Sequence, residues 1–134
     1  MPTKIKGTIY SPIILIEDEN CLVNIPPTVD AGNNQTITLP TNSVNLNAIA
    51  NDIDGTIASY LWSLVSSGSY TINDDSIHNP IFSDLIEGVY VFQCLVTDND
   101  GATALDTITI TVNAAQVTYS SIEKSGSFTK NDCT

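Results

Sequence analysis

The sequence predicts an all-β chain, a two-sheet antiparallel sandwich of about seven short strands led by an extended N-terminal arm. Three observations carry this. Side chains alternate with period two along several segments, turn signals of the form Asp-x-Asp-Gly recur between them, and no stretch sustains a helical period. The clearest segment is Leu85 to Val112. Tyr90, Phe92, Cys94 and Val96 take every second position in its first half, and Ile108, Ile110 and Val112 alternate with Thr107, Thr109 and Thr111 in its second. Such alternation sends one set to each face of a strand. Between the halves, Asp98-Asn99-Asp100-Gly101 reads as a hairpin turn, with Gly101 at positive φ and the aspartates bonding nearby backbone N–H groups. One face of this hairpin is apolar and needs a second sheet, because an isolated hairpin is marginal in water.

In chain order, residues 1 to 25 form the arm, whose Thr8-Ile9-Tyr10 and Ile13-Ile14-Leu15-Ile16 pieces favour extended structure but cannot make a core alone. Ile25-Pro26-Pro27-Thr28 marks a domain boundary, since neither proline donates to a ladder. A sandwich spanning residues 26 to 113 follows. Gln35 to Leu39 offers Ile37 and Leu39 to one face, and Val44 to Ala50 reads as one strand offering Val44, Leu46, Ala48 and Ala50. Asn51-Asp52-Ile53-Asp54-Gly55 is a turn. Ile57 to Val65 comes next, with Ala58, Tyr60, Trp62 and Leu64 on one face and Trp62, the only tryptophan, as central filler. Tyr70 to Ile72 is a short strand, Asn73 to Pro80 a polar connection, and Ile81-Phe82 a short strand before the hairpin. The expected core is Leu46, Tyr60, Trp62, Tyr90, Phe92, Cys94, Val96, Ile108 and Ile110. Residues 114 to 134 form a tail.

Charge narrows the partners. Fifteen acids stand against four lysines and no arginine in 134 residues, for a formal net charge of -11. The lysines lie near the ends (Lys4, Lys6, Lys124, Lys130), so Pro26 to Asn113 holds ten acids and no fixed cation. Such a body repels nucleic-acid phosphates and anionic membrane surfaces, leaving divalent cations and neutral surfaces. Of the three cysteines, Cys94 shares the parity of the core, and Cys21 and Cys133 lie in the flanks, where they pair only if the flanks meet. The Ile13 to Ile16 run is too short for a signal-peptide core and runs into Glu17-Asp18-Glu19, so the expectation is a chain made without a secretion signal, or a fragment with an added Met. No membrane-spanning helix is expected.

Several segments together carry a resemblance: Pro26-Pro27-Thr28-Val29-Asp30-Ala31-Gly32, Val44-Asn45-Leu46, Asp52-Ile53-Asp54-Gly55-Thr56-Ile57, Tyr60-Leu61-Trp62, Gly88-Val89-Tyr90-Val91-Phe92 and Val96-Thr97-Asp98-Asn99-Asp100-Gly101. Over residues 26 to 113 the chain resembles the PKD (polycystic kidney disease) family of immunoglobulin-like domains. The resemblance implies an immunoglobulin-like sandwich without catalysis, used as a spacer or as a protein- or glycan-contacting module of surface proteins. Many members follow the tryptophan with Asp-Phe-Gly-Asp-Gly. Here Ser63-Leu64-Val65-Ser66-Ser67-Gly68 stands instead, which resembles a variant seen in chitinase-associated and related surface modules. Tyr119 to Cys133 resembles the opening of a short repeat that follows surface modules in bacterial multidomain proteins, implying a polypeptide that continues past Thr134.

Catalysis is not expected. His78 is alone in a polar connection, Asp74 and Asp75 are adjacent and point apart, and neither a phosphate-cradling glycine loop nor an arginine clamp is present. A metal is a stronger expectation. In this topology the turn after the second strand and the hairpin turn fall at one end, gathering Asn51, Asp52 and Asp54 with Asp98, Asp100 and Asp106. Carboxylate and amide oxygens without a competing cation suit Ca²⁺, while the same residues also serve turns by bonding their own backbone. No cofactor is required. Two roles follow. The first is a tailed-phage virion protein, a capsid decoration or fibre at the virion surface, held to other capsid or fibre subunits through Ile9, Tyr10, Ile13, Ile14, Leu15 and Ile16. The alternative is a protein- or carbohydrate-binding module of a secreted bacterial surface protein or enzyme. Most aromatics read as buried, leaving only Tyr10, Tyr70 and Tyr119 to stack on sugars.

Overall fold

The computed structural model describes residues 22 to 118, which form nine strands. In chain order these are β1 (Thr28–Asp30), β2 (Gln35–Thr38), β3 (Val44–Asn45), β4 (Ile49–Asn51), β5 (Ile57–Leu64), β6 (Thr71–Ile72), β7 (Ile81–Ser83), β8 (Gly88–Asp98) and β9 (Thr103–Asn113). The fold is all-β and immunoglobulin-like. One layer is a four-stranded sheet in the order β2-β9-β8-β5, and facing it lie the three-stranded β3-β7-β6 and the pair β1-β4.

The alternating hairpin is the longest element. β8 and β9 pair antiparallel from Gly88↔Val112 to Thr97↔Thr103, and Gly101 closes the turn at a φ of 97°. Tyr90, Phe92, Cys94 and Val96 on β8 and Ile108, Ile110 and Val112 on β9 all point inward and are buried. β5 continues the sheet, with Trp62 opposite Cys94. β2 closes the other edge by pairing with β9 in parallel, Gln35 beside Ile110.

The two layers meet through aromatic rings. Phe82 from β7 lies 4.0 Å from Phe92 between ring centroids and takes the edge of Trp62 at 5.9 Å. The Trp62 indole N–H donates to the carbonyl of Ile77 at 2.9 Å, so the one polar atom of the core filler is satisfied by the 73–80 connection. That connection also covers the edge of β5, where the Trp62 backbone N–H donates to the carbonyl of Asp75. Tyr90 stacks on Phe92, and its hydroxyl accepts from the N–H of Ile86 and donates to the carbonyl of Ser69.

Three sequence expectations are corrected here. Val44 to Ala50 is not one strand: β3 pairs with β7 and β4 with β1, so the ladder breaks where the partner changes, although Val44, Leu46 and Ala48 stay buried. Within β5 a bulge between Ile57 and Ser59 adds a residue, which turns Ala58 outward and lets Ile57 pack on the core. Tyr70 is not free for sugar: its ring meets the edge of Phe92 at 5.4 Å and leans on Phe82 at 5.6 Å. Tyr60 is half-buried at the core margin, 5.9 Å from the exposed His78 ring. The arm residues Ile9, Tyr10, Ile13, Ile14, Leu15 and Ile16, together with Cys21, Tyr119 and Cys133, lie outside the described residues.

Candidate cation site at one end of the sandwich

The alternation of β8 carries one position too far. After Val96 the next inward residue is Asp98, so parity delivers a carboxylate, 2% exposed, to the rim of an apolar core. Such a group needs hydrogen bonds. Its Oδ1 accepts the backbone N–H groups of Asp100 and Ala102, each at 2.8 Å, which also fixes the turn. Its Oδ2 accepts the side-chain amide of Asn24 at 2.8 Å. The Asn24 amide, helped by the backbone donors and against the pull of desolvation, holds the Asp98 carboxyl below the usual carboxylate range.

The turn between β4 and β5 comes to the same place. Asn99 Oδ1 accepts from the backbone N–H of Thr56 at 2.6 Å, and the Asn99 N–H donates back to the Thr56 carbonyl. A Cβ on Gly55 would crowd the Asn99 side chain and meet Asp52 Oδ2 at 2.6 Å, so a larger residue must displace the side-chain ends where the two turns touch. Asp52 Oδ1 accepts the N–H of Asp54, and Asp54 Oδ2 accepts the N–H of Ile25 at 3.1 Å. Desolvation first, then the carboxyl of Asp54 and the charge of Asp98, push the Asp52 carboxyl up.

Two buried oxygens at this end have no partner: Asn24 Oδ1 and Asp52 Oδ2. Unpaired buried acceptors are costly and ask for a donor or a cation. Among the described residues no three His, Cys, Asp or Glu side chains already converge as a cage, so any cation here draws on a mixed set in which amide or backbone oxygens complete the carboxylates.

Of the expected set, Asp52 and Asp54 share one turn and the charge of Asp98 bears on Asp52 from the other, so the three are neighbours that do not converge on one point. Asp100 sits exposed in the same turn and contributes its N–H to Asp98. Asn51 stands at the end of β4 opposite Thr28, where its carbonyl accepts the Thr28 hydroxyl. Asp106 is a correction. It lies opposite Cys94, well down the hairpin from the turn, and its Oδ2 accepts the N–H of Ala31 at 2.8 Å, tying the end of β1 to β9. Asn24 was missed by sequence reasoning. Its signal was an asparagine just ahead of Pro26-Pro27, where the chain joins the sandwich.

His78 is exposed, and Asp74 spends its carboxylate on the N–H and hydroxyl of Ser76, which hold it below the usual range. No concave pocket indents the described residues. No helix among them is long and apolar enough to cross a membrane.

Known proteins with similar sequence or shape agree with this architecture. The chain is 36% identical over 103 residues to the human dyslexia-associated protein KIAA0319, a match that takes in 74% of this chain and 9% of that protein. The solution structure of the PKD domain (329-428) of human KIAA0319 superposes with a TM-score of 0.57 at 30% identity, over 72% of this chain and 88% of that one. The PKD1 domain of Vibrio anguillarum Epp superposes with a TM-score of 0.52 at 29% identity, over 69% and 99%. Residues 31–112 match the K319L-like PKD domain family, and with the sandwich, the indole core and the two joined turns in place, the chain belongs to the PKD family of immunoglobulin-like domains.

Proposed function

We propose that this chain serves as a non-catalytic contact and spacer module of a larger surface protein, with Ca²⁺ at the joined turns fixing how the preceding segment meets the sandwich. The observation that carries it is where the unspent chemistry sits. The core is closed, and the unpaired oxygens of Asn24 and Asp52 lie beside Asp54 and Asp98 where the chain enters the domain. Because the match covers 9% of the human relative, a role within a multidomain protein is favoured. The virion-surface role with its capsid or fibre partners draws on the arm, outside the described residues, and on no feature within them. A glycan partner has little aromatic surface to use, since Tyr70 is packed inward.

Thermal melts of the full chain in CaCl₂ and in chelator test the cation. At Ca²⁺ well above its dissociation constant the gain should be about 2 to 3 kcal/mol, and it should vanish in Asp52→Asn and Asp98→Asn. Superimposable melts would remove the cation from the proposal. The contact role is checked by retention of the bead-coupled chain on cells before and after surface proteolysis. Protease-sensitive retention supports a protein partner. Retention on stripped cells and on glycan supports carbohydrate, and no retention leaves a spacer alone.

A further inference from the structure

We infer that the apolar run Ile13-Ile14-Leu15-Ile16 of the entering chain docks within its own molecule, across a row of leucines on the outer face of the β2-β9-β8-β5 sheet. This goes beyond the contact role proposed above. It needs neither the cation nor a foreign partner and is tested on the chain alone, so the two readings fail separately. The run lies outside the described residues, and the sandwich within them supplies the site.

The register puts the row in place. Leu61 lies opposite Leu95, and Leu95 opposite Leu105, across β5, β8 and β9. Their parity is opposite to that of Trp62, Cys94 and Ile108, so all three point away from the core, with Leu61 47% and Leu105 57% exposed. Single exposed leucines are ordinary. Three set side by side across neighbouring strands, about 5 Å apart, make a patch.

Whatever covers this row has to be uncharged. From Ser59 to Ser63 on β5, Val89 to Thr97 on β8 and Thr103 to Thr111 on β9, the outward side chains are Ser, Thr, Gln, Leu and Val. A charged occupant would lose water there without gaining a partner. Thr8 to Ile16 is uncharged throughout, with Lys4 and Lys6 before it and Glu17-Asp18-Glu19 after it. Its flanking charges therefore stand outside the contact at both ends.

Chain geometry selects the same segment. Entry is fixed at the hairpin turn, where the Asn24 amide donates to Asp98 and the Ile25 N–H donates to Asp54. Leu95 precedes Asp98 by three residues, which puts the row roughly 10 Å from that turn. The seven residues from Glu17 to Val23 span up to about 23 Å when extended, so Ile16 reaches the row. The four apolar residues at roughly 3.3 Å rise cover about 13 Å, against about 10 Å for a row across three strands. The departing chain is a poorer occupant. It leaves past Asn113, beside Thr38 at the far end of β9, and its apolar Ile122 and Phe128 are separated by Glu123 and Lys124. Tethering also settles the size of the contact: a segment on a short linker meets its site at an effective concentration of order millimolar, so a patch too small to hold a separate protein holds this one.

Paramagnetic relaxation in the full chain is the test. A nitroxide is attached at Ser11→Cys, with Cys21→Ser and Cys133→Ser removing the flank thiols and Cys94 left in place because it is buried. Leucine and isoleucine methyls are isotopically labelled. At low micromolar concentration the Leu61, Leu95 and Leu105 signals should broaden, and that of Ile49, exposed on β4 in the other layer, should stay sharp. Ile14→Glu, in the run and clear of the sandwich, should restore the row, and Leu105→Glu should restore Leu61 and Leu95. Any of four results overturns the proposal: a row as sharp as Ile49, broadening at Ile49 equal to that of the row, broadening that persists in Ile14→Glu, or broadening reproduced in full when separate spin-labelled and isotope-labelled chains are mixed, which would make the contact one between molecules.

Discussion

Asp98 and Asp52 stand on two touching turns, and their carboxyls are pushed in opposite directions. For Asp98 the folded pKa is depressed, so its contribution is full above the unfolded value of about 3.9 and is lost as pH falls through the folded value. For Asp52 the folded pKa is raised, so its contribution is full below about 3.9 and is lost as pH rises through the folded value. In chelator at neutral pH, Asp98→Asn should therefore lower the melting temperature and Asp52→Asn should raise it. Melts scanned from pH 7 toward pH 3 check this, and responses of the same sign for the two variants would contradict it. Tyr90 gives a second residue-scale prediction. Its hydroxyl accepts from Ile86 and donates to Ser69, so Tyr90→Phe leaves a donor and an acceptor without their partner and should cost about 1 to 3 kcal/mol by denaturant titration. Legibility at this scale was uneven. Parity announced that Cys94 faces the core, where burial first and then the charge of Asp106 push its thiol up to about 11. Nothing local announced that Asn24 would reach Asp98, because the two are 74 residues apart.

At the scale of elements, the hairpin of β8 and β9 was readable because one partner, one turn and one buried face all agree with its alternation. β5 was readable except at Ala58, where the bulge shifts parity. A bulge is decided by the partner strand and by the turn that must reach Asn99, neither of which the residues from Ile57 to Val65 reveal. The broken strand at Val44 to Ala50 has a related cause. Its alternation is faithful throughout, but strand assignment depends on who pairs with it, and Leu46 and Ala48 donate to the carbonyls of Pro80 and His78 between the two ladders. Trp62 joins these elements, touching Phe82 across the layers and Ile77 in the connection. Trp62→Ala should cost about 3 to 5 kcal/mol, read by chemical denaturation. A smaller loss for Trp62→Phe would separate packing from the Ile77 hydrogen bond, and a loss under 1 kcal/mol for Trp62→Ala would deny the indole its place at the centre of the core.

Taken whole, the sandwich is an anionic body whose acids lie mostly on its loops and turns. With ten acids and no Lys or Arg between residues 26 and 113, self-repulsion opposes the compact state at neutral pH and salt relieves it. The melting temperature should rise with NaCl in the presence of chelator, and fluorescence-monitored melts at several ionic strengths check the trend. A flat or falling response would mean that the acids are too dispersed to matter. Composition made this legible from the start. It could not show that the turns meet, since that depends on register.

The parallel pairing of β2 with β9 has a mechanical consequence. The chain comes in beside the hairpin turn, where Asn24 holds Asp98, and goes out past Asn113 at the opposite end of β9, beside Thr38. Tension applied between those two points reaches β1 and its short ladder with β4 first, and then loads the β2-β9 ladder lengthwise, all its rungs together. A peeling geometry would instead break them in succession. The module is thus arranged to transmit a stretching force along its length before it yields.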